Sequence, residues 1–570
     1  MSAQATAVKE TKAQRAERLK QKKNPWKSLE ELRVYAGQGF QAIPEEWIKT
    51  YLRWWGVYTQ GDGAGVLGSA GGEGKATPYF MLRIRLGSGR LNASQLRAIA
   101  NLSERYARGS ADITVRQNIQ FHWITAEDLP DVLQALAEAG LTSMGTCGDV
   151  TRNVTGCPLA GFDAQELFDA SPLVREVEQF LVGNSEFYNL PRKYKISISG
   201  CRDWCSYPEI NDLAFTPVVR ENGGKSETGF SVRVGGGLSA DPHLAVRLSA
   251  FVRRDQVLAV TQAVSTIFRD SAVLREHRER ARLKFLFLQH GWTADSFLAE
   301  IEHHLGYQLD PAAPEEQPAD IFRDHVGVHP QKQPGLFYVG AAVLRGRISP
   351  QQMRVAAELA ERYGSGELRT TLSQNLVIVN VPRQHAQAVA LALETAGLPV
   401  SASPFWRGAV ACTGTEFCKL AITETKSFTR WVVEELEERL PGFDQHLRLN
   451  VTGCPNSCGQ HRIADIGLEG KKIKVNGQMR DAYYFCLGGA VGEYAGFGRP
   501  VGFRCLAEQV PIAIERLLRS YMEQRWEQEN LRQFFARHSD DELRALLAGE
   551  MLPPVPRDPA PGRVPHGVEG

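Results

Sequence analysis

The sequence is short of several things that would assign it quickly. No run approaches 18 apolar residues, which argues against a membrane span. Neither sign of charge dominates: 66 Lys and Arg against 65 Asp and Glu leave a formal net charge of +1, which argues against a general nucleic-acid binder or a membrane-surface protein. Cysteine is sparse, ten in 570 residues, so no disulfide framework carries the fold. The opening MSAQATAVKETKAQRAERLKQKKNPW is polar and basic and lacks the apolar core of a secretory signal. The expected compartment is therefore a reducing cytoplasm, where clustered cysteines read as metal or redox ligands before disulfides. A nucleotide-binding signature is also wanting. Gly63, Gly65 and Gly68 make one G-x-G-x-x-G, but the chain runs on into more glycine instead of opening a helix, so a flexible loop is expected.

What is present is said twice. NASQLRAIANLSERYARGSADITVRQNIQFHW (92–123) resembles SPQQMRVAAELAERYGSGELRTTLSQNLVIVNV (349–381), with Arg105-Tyr106 facing Arg362-Tyr363 and Gln117-Asn118 facing Gln374-Asn375, each 257 residues apart. KISISGCRDWC (195–205) faces LRLNVTGCPNSC (447–458), so that Cys201 and Cys205 match Cys454 and Cys458, and Gly235-Gly236 match Gly488-Gly489, at a spacing of 253. The chain reads as a tandem duplication of a unit of roughly 250 residues. Each unit alternates strand-like runs (YFMLRIRL, ADITVRQNIQFHWI, KYKISISG, FSVRVGG) with amphipathic helix-like runs (QLRAIANLSERYA, DVLQALAEAG). The fold class expected is α+β (mixed α/β), with two copies related by pseudo-twofold symmetry around a central cleft.

The second copy places Cys412 and Cys418 in a C-x5-C arrangement, and then Cys454 and Cys458 in C-x3-C. Four thiolates from two loops can hold a tetrahedral zinc or a cubane iron–sulfur cluster. C-x5-C fits a zinc knuckle poorly, which ranks the cluster ahead of zinc and both ahead of unligated thiols. The first copy keeps Cys201 and Cys205 and adds Cys147 and Cys157, which read first as packing residues and second as a further metal site. It also carries cations that the second copy lacks. Arg116 stands where Ser373 stands in the repeat; Arg152 lies in GDVTRN; Arg192, Lys193 and Lys195 crowd LPRKYK. Alternate residues of a strand share a face, so Lys193 and Lys195 point the same way. Three basic segments beside landmarks of the repeat point to one cleft, suited to a small oxyanion or a polycarboxylate cofactor.

C-x5-C followed by C-x3-C, with T-x-R-Q-N, R-N-V-x-G-x-P-L-A-G and L-P-R-K-Y-K, resembles the sirohaem/[4Fe–4S] sulfite and nitrite reductases over residues 30–545 or so. The resemblance implies a sirohaem and a [4Fe–4S] cluster at the junction of the halves. It implies Cys412, Cys418, Cys454 and Cys458 as cluster ligands, with Cys458 also the axial ligand of the sirohaem iron. Arg116, Arg152, Lys193 and Lys195 match substrate-facing cations; Arg192 and Gln120 match positions near the sirohaem carboxylates. It implies six parts: a basic arm and extension (1–70), a ferredoxin-like half-domain (71–145), a sirohaem-domain copy with the substrate cations (146–318), a second ferredoxin-like half-domain (319–400), a second sirohaem-domain copy with the cluster ligands (401–545), and a Pro/Gly-rich tail (546–570).

The implied reaction is six-electron reduction of sulfite to sulfide by a ferredoxin-dependent, cytoplasmic, monomeric oxidoreductase. The alternative is a ferredoxin-dependent nitrite reductase making ammonia, and a remote one is a non-catalytic zinc or cluster-binding sensor. Lys195 favours sulfite, because nitrite-type relatives tend to carry Asn there; Asn118 and TGTEFCKLAITETK lean toward nitrite. No flavin or NADPH domain is legible, so electrons come from a partner, a small acidic ferredoxin in this family. The cations Lys9, Lys12, Arg15, Arg18, Lys20, Lys22 and Lys23 make either a docking arm for it or a merely solubilising one. In some relatives a Tyr and a Cys at the places of Tyr58 and Cys147 are covalently linked.

Overall fold

The repeat in the sequence becomes a repeat in space at two helix starts. Asn92 and Ser349 each accept a hydrogen bond from the backbone N–H three residues on, and Gln95 and Gln352 each return one to the cap residue. These capping boxes begin the helices Ala93–Tyr106 and Pro350–Tyr363. The buried faces of the two helices are rich in Ala and Leu, and the helices pack against each other across the pseudo-twofold axis. Their exposed faces pair reciprocally, Arg97 with Glu361 and Arg354 with Glu104. The computed structural model describes residues 10–66, 73–318 and 323–550. Gly68, Lys9 and the end of the chain from 551 lie outside the described residues.

Among the described residues there are four five-stranded sheets, two per copy. The first small sheet runs Val57–Gly61, Ala76–Ile84, Ile119–Ile124, Ala111–Ile113 and ends on Arg347–Ile348, which comes from the second copy. The second runs Gly327–Pro330, Leu336–Ala341, Leu376–Pro382, Glu367–Thr370 and ends on Arg90–Asn92 from the first. Each half thus lends an edge strand to the other, and one hydrophobic core spans both. The two larger sheets are mixed, with helices against them and a core each. In the first, Ile196–Ile198 lies parallel to Leu213–Asn222; in the second, Leu449–Thr452 lies parallel to both Ala409–Ala411 and Ile466–Val475. No helix among the described residues is long and apolar enough to cross a membrane.

The TVRQN stretch, which its β-branched run makes look like one continuous strand, is a hairpin turn between Ala111–Ile113 and Ile119–Ile124. Thr114 N donates to Asn118 O at 2.9 Å, and Gln117 takes a positive φ of 59°. Its repeat does the same, with Gln374 at 64°. The two glutamines then cross the axis. Gln117 Nε2 donates to Thr370 O (3.2 Å) and Gln374 Nε2 to Ile113 O (2.8 Å). Each Oε1 accepts a backbone N–H just before a cysteine, Gly156 (3.2 Å) or Ala411 (3.0 Å). Asn118 and Asn375 accept from Leu86 N and Val343 N. Gly89 and Gly346 make room for this contact. Both have positive φ, and a Cβ on either would lie 2.1 Å from Thr370 O or 2.4 Å from Ile113 O.

The basic arm is not a free arm. Thr11 caps the helix Lys12–Lys22, whose Leu19 and Lys20 are buried. Lys20 sits beside Glu17 and Asp149 and donates to Leu190 O at 2.9 Å; Arg15, Arg18, Lys22 and Lys23 pair with Glu45, Glu10, Glu46 and Glu31. Five of the seven cations, Arg15, Arg18, Lys20, Lys22 and Lys23, are thus paired within the chain.

Gln117→Ala or Gln374→Ala should each lower stability by about 1–3 kcal/mol, because each leaves a buried carbonyl and N–H unpaired. Arg97→Ala, on the solvated side of the same helix pair, should cost no more than about 1 kcal/mol. Thermal and denaturant melts of the three variants check this; a glutamine variant that melts like the parent would contradict the junction as described.

Candidate functional site

Two parallel neighbours leave their sheet at the same edge, and this brings the two cysteine loops together. Cys412 follows Ala409–Ala411 and Cys454 follows Leu449–Thr452. Cys412 N donates to Val451 O at 3.1 Å, and Gly453 N donates to Cys412 Sγ at 3.3 Å. The loops are packed so closely that Gly459 has no room for a side chain: a Cβ there would meet Val451 O at 2.6 Å and Cys412 N at 3.2 Å. Cys454 senses the other three thiols electrostatically, and Cys418 senses Cys458 and Cys412. Burial, and then the nearby Cys458, push Cys412 upward and Cys418 to about 12. Thiols held neutral by one another are relieved when a cationic metal centre takes their protons' place. Zinc–sulfur bonds of about 2.3 Å in a tetrahedron place the sulfurs about 3.8 Å apart. Among the described residues, the groups whose ligand atoms lie within 4.8 Å of one another do not include these four thiols. Their wider spacing suits a cluster better than a single zinc ion.

The loop carrying Cys412 and Cys418 leans on the other half of the chain. Phe417 stacks on His122 with ring centroids 3.7 Å apart, and its carbonyl accepts from Gly61 N at 2.9 Å. The glycine-rich stretch adds a cover: Val66 N donates to Ala421 O and Gly74 N to Lys419 O. Gly65, at φ +72°, has Thr415 and the Ala421 carbonyl where a Cβ would go. The described ends of the glycine-rich stretch form a loop, as expected, tied at Val66 and Gly74 to the cysteine loop; Gly68 lies outside the described residues.

Opposite the thiols stand the cations. Arg116 donates to Asn211 Oδ1 (2.9 Å) and Asn153 O (2.6 Å), while its Nε is buried without a partner. Arg152 likewise has Nη1 buried and unpartnered. Lys193 and Lys195 flank Tyr194, which is fully buried and bridged to Thr151, so the two ammonium groups face the same side. Among the described residues neither lysine has an ion-pair partner. Asp212, the nearest carboxylate, is already engaged by Arg282 Nε (3.0 Å) and Nη2 (2.8 Å) and by the Lys195 backbone N–H (2.8 Å). Burial, and then Arg282 and other cations, push Lys193 down to about 8 against a rise from Cys458. Burial, Arg116 and Lys193 push Lys195 well down. Arg116 falls to about 9 by burial and by repulsion from Arg152 and Arg282. Such a cluster of mutually repelling cations with orphaned donors is a receptor for anions.

All the residues expected at a site come together here. Arg192 is held 3.5 Å from Asp149, which also takes Arg278 and Lys20, so it lines the rim with its charge partly balanced. Gln120 lies between Arg83 (3.3 Å) and Thr413 of the cysteine loop (3.3 Å). Arg83 was not anticipated. It donates to the Tyr58 hydroxyl (3.0 Å) and Thr146 O (3.1 Å) and senses both Cys147 and Cys458. Its signal in the sequence is MLRIRL, where arginines break an apolar strand at a period of two. Burial raises the Cys147 thiol, but Arg152, Arg83 and Arg53 outweigh it, so the net shift is downward; burial lifts Tyr58 to about 12. In the second copy the equivalent place is neutralised. Ser373 replaces Arg116, and Arg448, at the place of Lys195, is paired with Asp465 at 2.9 Å.

Comparison with known proteins bears on both halves of this site. The model of the nitrite and sulphite reductase 4Fe-4S domain matches residues 147–309 and 403–553, and that of the nitrite/sulfite reductase ferredoxin-like half domain matches 73–139 and 329–396. The sulfite reductase [ferredoxin] of Mycobacterium tuberculosis is 38% identical over 539 residues, 93% of this chain and 95% of that protein. The ferredoxin–nitrite reductase of Leptolyngbya laminosa is 38% identical over 520 residues, 89% of this chain and 95% of its own. The solved structure of the Mycobacterium tuberculosis NirA protein superposes with a TM-score of 0.86 at 37% identity, covering 93% of this chain and 97% of that one. With each of its two domain types present twice, in alternation and in register with the duplicated sheets, the chain belongs to the nitrite and sulphite reductase family.

Proposed function

We propose that the chain reduces sulfite to sulfide in six one-electron steps, drawing electrons from a ferredoxin in the reducing cytoplasm and working as a monomer whose two halves complete one site. The observation that carries this reading is the set of unpaired cations facing Cys458. Cys412, Cys418, Cys454 and Cys458 would hold the [4Fe–4S] cluster, and Cys458, the one exposed thiol of the four, would be shared with the sirohaem iron. Arg192, Gln120 and Arg83 would bind the sirohaem carboxylates. When bound, the two centres supply the electrons and the iron at which the oxyanion is reduced.

The chain's own work is charge and protons. Arg116, Arg152, Lys193 and Lys195 bind the oxyanion because, among the described residues, none of them has an ion-pair partner. Lys193, held near 8, gives up its proton readily at neutral pH and is suited to donate to an oxygen as its bond breaks. Arg116, anchored by Asn153 and Asn211, orients the oxyanion and stays charged. The six-part division given by the sequence serves the same reading: one copy provides the cations and the other the thiols. Tyr58 and Cys147 both neighbour Arg83, so a thioether between them, formed with loss of two hydrogens to dioxygen, is open to test: peptide mass spectrometry reads the deficit directly.

Sulfite is preferred to nitrite for a reason of position. Lys195 faces the anion site, whereas the features that lean toward nitrite serve packing. Asn118 accepts from Leu86 N, Glu416 pairs with Arg347 at 2.9 Å, and Lys426 donates to Arg345 O. Nitrite stays as the second reading because ferredoxin–nitrite reductases are as similar in sequence as sulfite reductases are.

Cys458→Ser should lose sirohaem absorption together with cluster absorption; a variant keeping both spectra would contradict the shared thiolate. Lys195→Asn should lower sulfite kcat/KM about 100-fold and nitrite kcat/KM less, with both centres intact. An unchanged ratio would remove Lys195 as the discriminator. A bound oxyanion favours the charged form of Lys193, so binding above pH 8 or so must take up a proton, and KM should rise with pH through that range. Lys193→Arg should flatten that rise, and pH profiles of KM in the two proteins decide it.

A further inference from the structure

The first copy lacks the C-x5-C pair, yet three of its cysteines have come together. Cys201 and Cys205 lie on the loop after Ile196–Ile198, the pseudo-twofold counterpart of the loop that carries Cys454 and Cys458. Cys157 arrives from the NVTGCPLAG segment and touches both thiols. All three are buried. A fourth group reaches them from the segment that joins the two halves. The ligand atoms of Cys157, Cys205 and His325 lie within 4.8 Å of one another, as do those of Cys157, Cys201 and Asp163.

His325 is the independent observation. It is 4% exposed, and neither ring nitrogen has a hydrogen-bond partner. A buried imidazole with both nitrogens idle is a poor packing residue. Its backbone is also held in the left-handed region, φ +60°, with Gly340 leaving room for its carbonyl, where a Cβ would lie 1.7 Å away. Burial and the adjacent Arg323 keep the ring neutral, the state in which imidazole ligates. Asp163 is less available. It is paired with Arg323 at 3.2 Å and accepts from Cys201 Sγ at 3.7 Å, which suits a carboxylate that steadies a ligand rather than one that replaces it.

We infer that Cys157, Cys205 and His325, whose ligand atoms already converge, hold a structural zinc ion that draws in Cys201, a neighbour of Cys157 outside that triad, as the fourth ligand; the site is distinct from the cluster site and built on the position that the cluster loop occupies in the other copy. Three thiolates and one imidazole are a common closed zinc set, and the C-x3-C spacing of Cys201 and Cys205 falls within its usual range. Zn²⁺ displaces three thiol protons, which pass to solvent, and no electron moves. Bound there, the ion fastens the segment around Arg323–His325 to the first 4Fe-4S-type domain, reinforcing the ion pairs of Arg323 with Asp163 and Asp203.

The test uses the full chain with its cofactors. Zinc and iron are counted together by plasma mass spectrometry after washing with a weak chelator, and thiols are alkylated with and without a strong chelator under denaturant-free conditions. The expected result is about one zinc per chain, alkylation of Cys157, Cys201 and Cys205 only after chelation, and a lower melting temperature once zinc is stripped. His325→Gln should lose zinc at unchanged iron content. Zinc far below one per chain after incubation with Zn²⁺ would overturn the site. So would a disulfide between Cys157 and Cys201 or Cys205 in peptide maps of the untreated protein.

Discussion

Everything at the site depends on the hydrogen bonds that Gln117 and Gln374 each send across to the opposite copy. Each glutamine spends its amide on a carbonyl of the opposite copy and its carbonyl on the N–H of the residue before a cysteine, Cys157 or Cys412. The two copies are thereby fixed to each other and to their loops by the same side chains. Gly89 and Gly346 allow the approach, the exchanged strands Arg90–Asn92 and Arg347–Ile348 extend it, and a single core fills the space behind. Without that rigid junction, cations from one copy and thiols from the other would not share a cleft.

Duplication then permits division of labour. A symmetric ancestor would carry the same charges twice, and unpaired buried cations destabilise a fold. In the second copy that cost is cancelled: Ser373 stands for Arg116, and Asp465 balances Arg448. In the first it is kept, because Asp212 is occupied by Arg282 and leaves Lys195 unbalanced. The retained repulsion is what a doubly charged oxyanion and a polycarboxylate cofactor relieve. The thiols show the opposite asymmetry. The second copy spreads four of them over two loops, and the first gathers three around an idle histidine.

Much of this was legible in the residues. The repeat and the candidate cysteine and cation sets follow from spacing and residue type, because duplication preserves spacing and ligand chemistry restricts residue type. The role of the Gln-Asn dipeptide was not legible, since a hairpin turn and a continuous strand share the same β-branched neighbours and only the positive φ at Gln117 separates them. Arg83 was hidden in a strand, where alternation alone does not say which face meets the other copy. The partners of the N-terminal helix were not legible either: its basic composition is visible locally, but Glu45, Glu46 and Asp149, which pair with it, are distant in sequence. His325 could not be joined to Cys157 without the fold, because more than half of one repeat separates them.

The most direct test of the central claim, that one junction brings a cluster and a sirohaem together beside the cations of the first copy, is the visible spectrum of the purified chain with its iron and labile sulfide content. The account predicts sirohaem bands, about five irons and about four sulfides per chain, with the bands perturbed when sulfite is added. A chain produced with ample iron and sirohaem that stays colourless, or that shows cluster absorption with no sirohaem bands, would contradict it.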